Sequence, residues 1–154
     1  MPPPIAGPPT AGHGSPPTLG AGDLGLVFVG GAIGAVARVA LATAFPATAT
    51  TFPWTTFLEN VVGAFLLAVA LSFLSHRRAT HRRVQLLVGV GMLGAFTTYS
   101  TLAVELDGLT RAGAGSTAVT YAAASLAVGL AAAAAGIWVG RRLRRLPRDA
   151  EVAR

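Results

Sequence analysis

Apolar residues run along this chain in four long blocks, roughly Leu24 to Phe45, Thr55 to Leu74, Val84 to Leu109 and Thr117 to Val139. Each is near the ~20 residues that cross the hydrocarbon core of a bilayer as α-helix. The pattern predicts an all-α integral membrane protein of four transmembrane helices with almost no extramembrane domain. An even number of spans puts both termini on one side. Pro46 and Pro53 punctuate the first connection, and Trp54 stands where an aromatic side chain would meet the membrane interface. Residues 1–22 are rich in Pro and Gly and carry no basic stretch ahead of an apolar one, so they read as a disordered tail and not as a cleavable signal. The helical domain then occupies 23–140, and 141–154 form a basic tail.

Charge sharpens this picture. Only 12% of the 154 residues are charged against 53% hydrophobic, about half the charged fraction of a soluble domain. The charges are also segregated. Ala112 to Val139 holds none, whereas Arg77, Arg78, Arg82, Arg83, Arg141, Arg142, Arg144, Arg145 and Arg148 all fall on the side shared by the termini and the second connection. Arg111 stands alone in the connections opposite. The positive-inside rule therefore predicts a multi-pass protein of the cell (inner) membrane, inserted almost exclusively with both termini in the cytoplasm. A net charge of +6 could suit nucleic acid, but these arginines flank apolar segments and no aromatic residues interleave with them. Anionic lipid headgroups are the better partner, and no nucleic-acid binding is expected. There is no cysteine, and His13, His76 and His81 fall in the tail or a loop. No catalytic triad, paired acid and base or histidine metal cluster can be assembled inside the bundle, so an enzyme is not expected.

The few polar residues within the spans carry the functional information, because polar groups in hydrocarbon are costly. Arg38, deep in the first span, must snorkel, pair or face water. Asn60, a turn into the second, offers two N–H donors either to a neighbouring helix or to a ligand. Gly30 and Gly34 form a GxxxG spacing suited to close helix packing. In the third span, Gly91-Met92-Leu93-Gly94-Ala95-Phe96-Thr97-Thr98-Tyr99-Ser100-Thr101 invites a helix break, whose freed carbonyls suit a small hard cation. The same hydroxyls could instead bond back to the preceding turn and bend the helix. Tyr121 and Ser125 lie four apart and share one face of the fourth span. Glu59 and Glu105 are expected near interfaces or paired with arginine, since an ionised carboxylate repels an anion.

Three stretches together, Gly30-Gly31-Ala32-Ile33-Gly34-Ala35-Val36-Ala37-Arg38, Thr56-Phe57-Leu58-Glu59-Asn60-Val61-Val62-Gly63 and Gly94-Ala95-Phe96-Thr97-Thr98-Tyr99-Ser100-Thr101, resemble the CrcB/Fluc family of fluoride channels from about Leu24 to Gly140. The resemblance implies an antiparallel dimer of oppositely oriented subunits with two pores, letting fluoride leave the cell passively and giving resistance to its toxicity. It implies a structural sodium ion at the dimer centre, held by the backbone carbonyls of Gly94 and Thr97 at the third-span break. By the same resemblance Asn60 donates to permeating fluoride, Ser100 and Thr101 belong to the polar third-span region, Tyr121 and Ser125 line the fourth-span track, and Arg38 is structural. The family's pair of third-span phenylalanines corresponds to Tyr99, which keeps a ring, and Leu102, which does not. Two other readings stand beside the channel. One is a small four-span proton-coupled drug exporter, which needs a carboxylate deep in the first span where this chain has Arg38. The other is a non-conducting partner subunit of a fluoride channel.

Because one antiparallel homodimer would require one sequence to insert both ways, the charge asymmetry predicts a homologous second subunit of opposite bias. A reporter that matures only in the cytoplasm, fused after Arg154, should be active in nearly all copies, and a periplasm-dependent reporter at the same place should be silent.

Overall fold

The computed structural model describes residues 19–74 and 79–145, with side chains placed for all of these except 79–81. The segment read as a disordered tail lies mostly outside the described residues. Helix α1 spans Ala21–Ala44 and α2 spans Trp54–Leu74. The third crossing is composite: α3 (Ala79–Val84), a π-helical segment (Gln85–Leu93), α4 (Gly94–Phe96) and α5 (Tyr99–Arg111). Helix α6 runs through Gly115–Arg145, so the first five residues of the basic tail continue the last helix. Taken together these make four helices long and apolar enough to cross a membrane, and the chain is a multi-pass membrane protein.

The ends of these helices are set by local chemistry. Asp23 accepts the Gly20 N–H at 3.0 Å in the first turn of α1. The Thr55 hydroxyl donates to the Phe45 carbonyl at 2.7 Å, satisfying the C-terminal end of α1 from across the connection. Gly113, at φ 77, turns the chain between α5 and α6 in the left-handed region that costs glycine little. Arg82 Nη1 meets Asp23 Oδ1 at 2.8 Å. That ion pair joins the start of α1 to the start of the third crossing and sets these two helix ends on one side of the bundle.

Packing follows two pairings, α2 with α6 and α1 with the π segment, and both depend on missing side chains. A Cβ on Gly34 would strike the Met92 carbonyl, and one on Gly30 would strike that of Leu87. From the other side, a Cβ on Gly91 would stand 2.7 Å from the Val27 carbonyl oxygen and 3.0 Å from the Gly31 nitrogen. The backbones therefore touch where the π segment widens the third crossing. Gly140 makes the equivalent approach of α6 to α2, with its absent Cβ 2.8 Å from the Val69 carbonyl oxygen. Lipid gives helices no hydrophobic reason to associate, so close backbone contact of this kind is what holds such a bundle.

At the end opposite the termini, Phe52 packs its ring against Trp54 (centroids 4.5 Å apart), Phe57 (5.3 Å) and Tyr121 (5.2 Å). The buried core there comprises Phe57, Leu109, Ala118 and Tyr121. Elsewhere the bundle presents large apolar side chains outward, Phe28, Val36 and Val119 among them, as lipid-facing helices do. Gly34→Ala should lower the stability of the detergent-solubilised protein by about 1–3 kcal/mol through overpacking. Gly129→Ala, where nothing lies within 4 Å of the new Cβ, should leave the thermal unfolding midpoint within its error.

Candidate functional site

The site is built around two residues of the third crossing. Thr97 (φ −78, ψ 148) and Thr98 (φ −147, ψ 126) are extended and separate α4 from α5. In a continuous helix the Thr98 N–H would bond the Gly94 carbonyl. Here it donates to Asn60 Oδ1 at 2.8 Å, while Asn60 Nδ2 donates back to the Thr98 carbonyl at 3.0 Å. The primary amide thus pairs with Thr98 as one strand residue pairs with another. Thr98 Oγ1 then caps α5 by accepting the Thr101 N–H at 3.2 Å, which diverts the donor that would have served the Thr97 carbonyl. Arg38 Nε donates to the Ala95 carbonyl at 3.2 Å, and the Thr97 hydroxyl bonds back to the Leu93 carbonyl at 3.1 Å. Gly63 makes room for this: a Cβ there would collide with the Thr97 methyl.

Of the residues singled out in the sequence, Asn60, Thr97, Tyr99 and Ser125 line one lateral groove of about 520 Å³, together with Thr98, Leu102, Leu106, Ala122 and Leu126. One Nδ2 hydrogen of Asn60 remains free of Thr98. Ser125 Oγ is buried and has no hydrogen-bond partner, although a serine in a helix has the carbonyl four residues back within reach. Two donors therefore remain free on one groove. Tyr99 is 83% exposed and sits with Ser100 on the outer surface of the break. Gly94 is exposed as well. Thr101 meets Thr98 at 3.2 Å between hydroxyls and belongs to the cap of α5.

Tyr121 occupies a different place from Ser125 despite their shared face. It is fully buried and donates to Glu105 Oε2 at 2.7 Å, while the Thr56 hydroxyl donates to Glu105 Oε1, also at 2.7 Å. Glu105 therefore pairs with two hydroxyls, from α2 and α6, and not with an arginine. Arg111 is held by Asp107 one turn away at 2.7 Å, and Arg38 is committed to the break. Glu59 has no such pairing. It is 4% exposed, and its Oε1 has no hydrogen-bond partner. Sequence reasoning missed the Thr56–Glu105–Tyr121 chain, though three polar residues at one depth on three spans were a usable sign of it.

The family model described as CrcB-like protein, Camphor Resistance (CrcB) matches residues 25–137. The chain belongs to the CrcB family. A relative in Leifsonia xyli, the fluoride-specific ion channel FluC 2, is 47% identical over 118 residues, covering 75% of this chain and 81% of that one. The fluoride-specific ion channel FluC of Deinococcus radiodurans is 47% identical over 117 residues, covering 75% and 92%. FluC 1 of Cutibacterium acnes is 42% identical over 109 residues, covering 69% and 76%. The matched CrcB region holds the second and third spans whole, most of the first and fourth, and every residue of the groove.

Tyr121→Phe keeps the ring against Phe52 but strips a donor from Glu105. It should destabilise the folded protein by about 1–3 kcal/mol, the cost of leaving a buried acceptor unpaired, read as a lowered thermal unfolding midpoint in detergent.

Proposed function

We propose that this chain is a subunit of a fluoride-selective channel that lets fluoride leave the cell passively, with no catalytic cycle. The observation that carries the reading is the pair of uncommitted donors, Asn60 Nδ2 and the buried Ser125 hydroxyl, on one lateral groove of the bundle. Fluoride is small and strongly hydrated, so its passage requires donors that replace water, in a bore tight enough to reject chloride. The family's fluoride-specific members supply the anion's identity. The drug-exporter reading lacks its carboxylate: Asp23, in the first turn of α1, is tied to Arg82, and Arg38 takes the deep position.

The carbonyls of Gly94 and Thr97 have lost the N–H groups that a continuous helix would give them, since those donors go to Asn60 and Thr98. Such carbonyls are hard oxygen ligands suited to sodium. A structural ion there would neutralise carbonyl dipoles gathered at the break. Gly94, Tyr99 and Ser100 are exposed around it, and an oppositely oriented second subunit would cover this face. The arginines at the termini end, set against the internally paired Arg111 and Asp107 at the other, favour a homologous partner that inserts the other way. In such a pair Leu102, which lines the groove without a ring, would be matched by an aromatic residue from the partner.

Fluoride efflux from proteoliposomes tests this, comparing the chain alone with the chain plus a homologous subunit of opposite charge bias. Flux is expected only with the partner, and Asn60→Ala should reduce it at least about tenfold, the consequence of losing one hydrogen bond to a charged ligand. Full flux from the single chain would overturn the two-subunit reading, and no flux from either would favour a non-conducting role.

A further inference from the structure

Glu59 is not used by any of the chemistry above. It sits on α2 immediately before Asn60, is 4% exposed, and leaves Oε1 buried without a donor. Its side chain reaches a second groove of about 470 Å³, which is lined almost entirely by apolar groups, Leu41, Phe45, Leu58, Val62 and Phe96 among them. A carboxyl group placed so is costly and gains nothing for the fold, since a valine or alanine would pack the same space without a polar atom to satisfy.

The groups facing it explain what it can do. Arg38 on α1 and Glu105 on α5 are the charges that act on it. Tyr121 on α6 also feels it, but gives its hydroxyl to Glu105. Glu105 is held by two hydroxyls, whereas Arg38 spends only Nε, on the Ala95 carbonyl. Arg38 and Glu59 thus flank the broken helix from two different spans, with opposite charges and without a direct ion pair. Glu59 and Asn60 are consecutive on α2 and reach different grooves, so the charge of Glu59 acts on the Asn60 groove through a protein interior that screens poorly.

Resting on the reading of the chain as a fluoride channel, we propose that Glu59 sets the anion throughput of the Asn60 groove by opposing the field of Arg38, as a brake that protonation releases. Ionised, Glu59 cancels the arginine and repels fluoride from the neighbouring amide. Protonated, it leaves the arginine uncompensated and the groove attractive to an anion. Throughput should therefore fall as pH rises. Glu59 is a positioning residue of charge: it need not touch the ion.

The test is electrical recording of fluoride current in bilayers, because neutral HF crosses lipid without carrying current, with the chain reconstituted alone or with its partner, whichever conducts. Wild-type current should fall as pH rises through the titration of the Glu59 carboxyl group. Glu59→Gln and Glu59→Val, which share only the loss of charge, should both give a pH-independent current. At the alkaline end they should exceed wild type on the order of tenfold, since at an effective protein dielectric constant near ~20 a unit charge retains that influence over distances on the order of 10 Å. A merely structural role would make the two variants differ from each other and leave the pH profile of the folded one intact, which would overturn the proposal. Equal currents in wild type and Glu59→Gln at every pH would overturn it as well, while leaving the channel reading in place. Absence of fluoride current from wild type in both compositions would overturn the channel reading, and this inference with it.

Discussion

The paired hydrogen bonds between the Asn60 amide and the Thr98 backbone are the interaction on which the rest of this bundle turns. Hydrocarbon offers no water to an interrupted helix, so an extended residue at membrane depth needs partners supplied by the protein. A primary amide supplies both at once, with a carbonyl for the Thr98 N–H and an N–H for the Thr98 carbonyl. Because that N–H is taken sideways, the Gly94 carbonyl is freed lengthways. The single contact from α2 thereby stabilises the break, orients its oxygens and keeps Asn60 on the wall of the groove. Gly63, one turn further along α2, lets the Thr97 methyl lie against the helix, and Arg38 fastens the break from α1.

Around this point the two helix pairings divide the work. Glycine contacts join α1 to the π segment and α6 to α2, each bringing a glycine against a backbone carbonyl of the neighbouring helix. The Thr56–Glu105–Tyr121 chain is polar and local, and it ties α2, α5 and α6 together at the end away from the termini. A carboxylate with two hydroxyl donors at 2.7 Å is well solvated by protein alone, so Glu105 can stay in the bundle without a cation. Glu59 lacks any such escort, and that contrast between two carboxylates of neighbouring spans separates an architectural acid from a responsive one.

How much of this could be read from the sequence depends on the range of the forces involved. The spans were legible because twenty apolar residues in a row have few other uses, and the outer ends of the first and last helices, Ala21 and Arg145, lie beyond the expected Leu24 and Val139. The density of glycine and hydroxyl residues between Gly91 and Thr101 invited a break for the same local reason, without saying which residues would be extended. The resemblance carried by the Arg38, Asn60 and Thr97 stretches named the family. What stayed hidden was pairwise and distant. The partner of Asn60 lies 38 residues away and that of Glu105 lies 49 residues away in α2. The wide turns of Gln85–Leu93 have no residue signature of their own, since they arise where two glycine-faced backbones press together.

The length of α6 has a mechanical consequence. Its 31 residues amount to about 46 Å of helix, against a hydrocarbon layer of about 30 Å. At the arginine end of this helix Arg142 lies over the Trp138 ring at 5.2 Å from its centroid. An indole belongs at the headgroup level and a guanidinium just outside it, so the stacked pair acts as a depth gauge for the whole bundle. Ser125 lies thirteen positions before Trp138 on the same rigid rod, about 20 Å inward along the axis. A bilayer that thickens or thins must therefore tilt α6 or dimple around it, because the vertical distance from headgroups to the hydroxyl of the groove is written into the helix itself.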